Sequence, residues 1–214
     1  MKKVLLTLLL IPSLSMAEYR MFFENKGNIQ IPEASQVEPQ NPATNSGYLT
    51  LVGESDITIT ASKTYSLDVP EAAFDGYVWE GSTSKEKVIQ ENPNIHVGRG
   101  IWISGWYTTE DNNDFLYNQW LDVKFNDGVR DVSGFEMWPT KYKLNRAPYH
   151  VKIQYSKDNG STYQDGEEFY LTQNNVIQRK EFSSVLKDVT NVRFFIYQNH
   201  GNTNALQVDE LQFF

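Results

Sequence analysis

The sequence predicts an all-β fold, an antiparallel β-sandwich, and three observations predict it. No window of the 214 residues sustains a helical apolar period for three turns. Short segments alternate apolar and polar side chains, the period of a half-buried strand. Turn chemistry separates them, at Asn126-Asp127-Gly128, Asp158-Asn159-Gly160 and Asp165-Gly166. In chain order, residues 19–23 read as a strand, Asn25 to Asn28 as a turn, and residues 29–31 as a second strand. Residues 32–47 are rich in Pro, Asn, Ser and Gln and read as a surface loop. Alternation returns at Ile57, Ile59 and Ala61. Residues 80–115 are the least regular, around a strand at Ile101-Trp102-Ile103. Six strands then follow at close spacing, over residues 120–125, 132–137, 151–155, 169–172, 192–197 and 206–213. Many short strands with Gly/Asn/Asp turns mean a sandwich or barrel.

The first residues are expected to be a signal peptide. Lys2 and Lys3 precede an apolar run from Val4 to Ile11, Pro12 breaks it, and Ser15-Met16-Ala17 supplies small residues at a cleavage position. Residues 1–17 are then leader, and residues 18–214 form one domain exported to the bacterial periplasm or beyond. The apolar stretch is far shorter than the roughly 20 residues of a spanning helix, so no membrane insertion is expected. Cysteine is absent, so the fold relies on its core without disulfide staples. The net charge of -8 becomes -10 once Lys2 and Lys3 are removed, which repels phosphate backbones; no nucleic-acid partner is expected. Aromatic residues make up 14% of the chain beside 21% charged, which suits a β-rich core, a stacking surface for sugars, or both.

Segments in a fixed order carry a family resemblance. They are Ala72-Ala73-Phe74-Asp75-Gly76 with Trp79 close behind, Gln119-Trp120-Leu121-Asp122-Val123-Lys124-Phe125, and Val132-Ser133-Gly134-Phe135-Glu136-Met137-Trp138-Pro139. Val151-Lys152-Ile153-Gln154-Tyr155-Ser156 follows, and the chain closes on Val192-Arg193-Phe194-Phe195-Ile196 and Gln207-Val208-Asp209-Glu210-Leu211. From residue 57 to the C-terminus the sequence resembles the discoidin family, the coagulation factor V/VIII C-type domains, which includes the family 32 carbohydrate-binding modules. The resemblance implies a jelly-roll, galactose-binding-like sandwich; residues 18–56 precede that region as the N-terminal strands and loop read above.

The resemblance also implies sites. A structural calcium would be held by Asp75 and Glu210, with carbonyls of Ala72, Tyr77 and Asp209 as further oxygen ligands. After Gly76 the sequence departs from the family pattern, reading Tyr77-Val78-Trp79-Glu80. The alternative is that Asp75 caps a turn and Glu210 ends a strand. A ligand site is expected on loops at one end, where an aromatic ring stacks on a sugar and polar groups bond its hydroxyls. Trp138 leads it, being on the outward phase of the Phe135/Met137 strand beside Pro139. Tyr142 and Arg146 follow in the same loop, and the hairpin over residues 197–202 supplies Asn199 and His200. Trp102 and Trp106 either contact ligand or pack beneath the long irregular segment. Trp120 matches a structural Trp of the family and is expected on that resemblance to pack against the sandwich, although alternation alone puts it on the face opposite Leu121.

Catalysis is not expected. His96, His150 and His200 form no helix-borne zinc pattern, and no Gly-x-Ser-x-Gly elbow occurs. The acid pairs Glu167-Glu168 and Asp209-Glu210 are adjacent on strands, so each pair points to opposite faces. The expected function is therefore a carbohydrate-binding protein, lectin- or adhesin-like, whose partner is a glycan or glycosylated surface. The alternatives are a structural or colonisation factor that binds another envelope or secreted protein, and a polysaccharide-cleaving jelly-roll enzyme using carboxylates from distant strands.

Overall fold

The computed structural model describes residues 47–79, 85–89, 100–105, 116–139 and 143–214. The expected leader and the expected strands at 19–23 and 29–31 lie outside the described residues. No helix among the described residues is long and apolar enough to cross a membrane.

Two antiparallel sheets form the sandwich. The larger has five strands in the order β1 (Ile57–Ala61), β5 (Gln119–Phe125), β10 (Asn191–Asn199), β7 (Pro148–Ser156) and β8 (Gln164–Tyr170). The smaller has β12 (Glu210–Phe213), β6 (Arg130–Trp138) and β9 (Gln178–Val189). Two short ribbons complete the described strands, β2 (Tyr77–Trp79) with β3 (Lys85–Lys87) and β4 (Trp102–Ile103) with β11 (Gln207–Val208).

The side-chain period of two builds the core. Leu121, Val123 and Phe125 of β5, Val151 and Ile153 of β7, and Val192, Phe194 and Ile196 of β10 point inward and are buried. Phe135 and Met137 of β6 face them from the other sheet. The Phe135 ring centroid lies 5.2 Å from Phe194, 5.3 Å from Phe169 and 6.3 Å from Phe213, each edge to face. Burying each such ring contributes roughly 1.5–3 kcal/mol, which is what replaces disulfides in this chain. Gly134 is required beside them. A Cβ there would collide with the Lys180 carbonyl of β9 and with the Phe214 ring.

The sequence-based strands among the described residues recur with altered ends, β2 and β3 are additions, and two further features differ. β9, the longest of the described strands with 12 residues, was not expected. It is a sheet edge exposed along most of its length, so selection for burial left little alternation to read. Asp165-Gly166 is no turn but lies inside β8, where the pairing with β7 shifts register between Lys152 and Gln154. The Asp158-Asn159-Gly160 turn is as expected, with φ of 57° at Asn159 and 80° at Gly160.

Candidate functional site

Two loops meet at one end of the larger sheet. A short 3-10 turn, Leu144–Arg146, leads into β7, and residues 200–206 follow β10. Backbone bonds join them: His200 N donates to Ala147 O at 3.1 Å and Asn202 N to Asn145 O at 3.2 Å. Arg146 and His200, 54 positions apart by number, therefore enter the same loop cluster.

Each expected residue there has a definite environment. Arg146 is buried, and that burial lowers its pKa. The His200 ring packs against Tyr149 at 5.1 Å, and burial lowers its pKa too, which favours the neutral imidazole. Its Nε2 is shielded from solvent and makes no hydrogen bond among the described residues. Asn199 is buried and serves the loop itself. Its amide donates to Asn202 O at 3.0 Å and Ala205 O at 2.9 Å, and its Oδ1 accepts from Gly201 N at 2.9 Å. With these bonds made, Asn199 shapes the loop instead of reaching outward. Tyr149 was missed by sequence reasoning; its place directly after Pro148, beside the loop turn, is the signal that would have found it.

The structure decides three tryptophan expectations. Trp138 lies on the phase opposite Phe135 and Met137, as alternation requires, yet it is buried, with 7% of its surface exposed. Tyr48 covers it edge-on at 6.0 Å, because residues 48–50 run alongside β12. An outward phase becomes a buried site once another segment crosses it. Trp102 is fully buried in the main core and its Nε1 donates to Lys63 O at 3.0 Å, so it packs and cannot meet ligand. Trp120 does not pack inward. It lies on the outer face of the larger sheet, beneath the Arg193 guanidinium at 4.3 Å. Tyr142 and Trp106 lie outside the described residues.

The two expected metal carboxylates do converge. Asp75 follows the 3-10 turn Pro70–Ala73, Glu210 opens β12, and both side chains are fully buried. Asp75 Oδ1 accepts from Tyr77 N at 3.2 Å, the bond of a turn cap. Glu210 accepts from Gly76 N at 3.0 Å and from Gln212 Nε2 at 2.5 Å. Burial first, and then the facing Asp75 charge, push the Glu210 carboxyl well above the usual carboxylate range. Ala72 and Tyr77 flank Asp75 in the chain, and Asp209 precedes Glu210 with its Oδ1 held by Gln207 Nε2 at 2.6 Å. Among the described residues no third His, Cys, Asp or Glu joins the pair. Two buried, facing carboxylates are hard oxygen donors whose charge, when both are ionised, suits a divalent cation such as calcium.

No protein-family model matches the sequence, and no curated protein matches it. Solved structures do. A family 32 carbohydrate-binding module of Clostridium perfringens NanJ, in complex with galactose, superimposes with a TM-score of 0.52 at 19% identity, over 73% of this chain and 92% of that one. A second family 32 module from Clostridium perfringens, in complex with GalNAc-β-1,3-galactose, gives 0.51 at 15% identity, over 74% and 94%. An F5/8 type C domain from Bacteroides fragilis gives 0.50 at 12% identity, over 78% and 96%. The order of sheets, the inward phase of the core strands and these superpositions agree: the chain has the galactose-binding-like β-sandwich fold of family 32 carbohydrate-binding modules and F5/8 type C, or discoidin, domains.

Proposed function

We propose that this chain is an exported, non-catalytic carbohydrate-binding protein whose sugar site lies at the loops that carry Arg146 and His200. The carrying observation is the shielded Nε2 of His200, which has no hydrogen-bond partner among the described residues. A polar atom left so costs about 1–3 kcal/mol, and a ligand hydroxyl would satisfy it once the surrounding loop side chains move aside to admit it. The neutral ring can donate or accept there, Arg146 supplies donors, and Tyr149 supplies an aromatic wall. The sugars bound by the two clostridial neighbours support this ligand class. Trp138 has no part in it, being covered by Tyr48.

A glycan array with the exported protein tests the reading. Binding of at least one glycan is expected, and His200→Ala should weaken it about tenfold or more, the equivalent of about 1.4 kcal/mol. Incubation with the bound polysaccharide should release no new reducing ends. Full binding by His200→Ala overturns the site, new reducing ends overturn the non-catalytic reading, and a mass that retains Met1 overturns export.

The same proposal includes a structural calcium held by Asp75 and Glu210, with Ala72, Tyr77 and Asp209 carbonyls completing the shell. Its support is the repulsion between the two buried carboxylates. A melting temperature unchanged by chelator and by added calcium overturns it.

A further inference from the structure

A line of touching rings runs from the His200 loops onto the outer face of the larger sheet. Tyr149 meets His200 at 5.1 Å and Tyr170 at 5.6 Å. Tyr170 stacks on His150 at 4.5 Å and 12°, His150 meets Tyr197 at 4.5 Å, and Tyr197 meets Phe195 at 5.1 Å. The line crosses β8, β7 and β10 because His150 stands opposite Tyr170 and because Phe195 and Tyr197 share the outward phase of β10. Tyr170, on the edge strand, is 61% exposed and offers an open ring face.

Polar groups border the rings in fixed positions. Lys152 Nζ is 2.9 Å from Asp165 and 3.1 Å from Glu168, and His150 Nε2 is 3.0 Å from Glu168. Lys152 also lies 5.4 Å from the Tyr197 ring centroid. These interlocked charges, with Lys152 largely covered and Asp165 and Glu168 open, decide the class of occupant. The core of a protein interface is depleted in charge, so a second protein would have to desolvate three ionic groups at the centre. A nucleic acid would find the Lys152 cation already paired and a chain of net charge -8 behind it. A neutral polyhydroxylated chain meets neither obstacle. Its hydroxyls exchange bonds with the polar border, and its apolar faces cover the rings.

We infer that the ligand is an oligosaccharide of several units that runs from the His200 loops onto this sheet face along the ring line. The inference rests on the carbohydrate-binding reading above and names the kind of ligand for it. Continuity carries it: each ring touches the next, from the loop residue His200 to Phe195 on a central strand.

The test is affinity against chain length, using the monosaccharide to hexasaccharide series of galactose, N-acetylglucosamine, mannose and glucose. For the sugar that binds, the hexasaccharide should bind at least tenfold more tightly than the monosaccharide. Tyr170→Ala and Phe195→Ala should each remove most of that gain and leave monosaccharide affinity unchanged. Tyr170 sits on an exposed edge, so its variant carries the test should Phe195→Ala fail to fold. Monosaccharide binding with no gain in length, or a gain that both variants keep, overturns this inference and leaves the loop site standing. Absence of binding throughout the series overturns the loop reading and this inference with it.

Discussion

Truncating Trp138 separates a core role from a binding role. The ring ends β6, stands opposite Glu210 in the pairing with β12, and is covered by Tyr48 at 6.0 Å and 74°. That cover is anchored. Leu49 N donates to Phe213 O at 2.8 Å, Thr50 Oγ1 accepts from Phe213 N at 2.9 Å, and the Tyr48 hydroxyl donates to Glu136 at 2.6 Å. The site therefore cannot collapse freely when the ring is removed, so a cavity stays behind and Trp138→Ala should fall toward the upper end of the 3–5 kcal/mol typical of a buried Trp, about 4–5 kcal/mol. Against a total of about 5–15 kcal/mol for a domain, that is a large fraction. Tyr48→Ala should cost less, and a double-mutant cycle should return a coupling of about 0.5–1.5 kcal/mol for the edge-to-face pair. Urea unfolding followed by fluorescence measures this as a lower midpoint with an unchanged slope. Glycan affinity of the folded fraction should not move. A loss below about 1 kcal/mol together with weakened glycan binding would refute the argument and return Trp138 to the ligand surface.

Two further expectations concern ionisable groups. Burial holds His200 below its ordinary pKa of about 6.5, so the fold keeps the ring neutral while the unfolded chain protonates. Stability from this group is complete above that value and is lost as pH falls through the depressed folded value, so His200→Gln should flatten the decline of melting temperature between about pH 7 and 5; parallel profiles would overturn this. At Asp75 and Glu210, calcium at a hundred times its Kd should stabilise the fold by about 2.7 kcal/mol, and Asp75→Asn should abolish the response; a variant that responds like the parent places the ion elsewhere.

The inward phases of β5, β6, β7 and β10 were legible because half-buried antiparallel strands alternate strictly, and Phe135, Ile153 and Phe194 take the places that alternation assigns. The convergence of Asp75 with Glu210 was legible only through the family resemblance, since 135 positions separate them by number. β9 was illegible because an exposed edge strand is under little pressure to alternate. The ring line escaped notice because its members come from three strands whose register no local pattern reveals.

Sequence by itself determined that this chain is an all-β sandwich and which face of each alternating strand a residue occupies. Whether an outward face meets solvent was decided only by the tertiary structure. Thr50 meets Gln212, 162 positions away, at 2.9 Å, and that long-range contact brings Tyr48 over Trp138. Tyr170 shares the outward phase on its own strand and stays open, because no described segment crosses it. Alternation records the backbone's local geometry, which repeats every two residues, whereas coverage depends on contacts between residues far apart in the chain, and no local period encodes those.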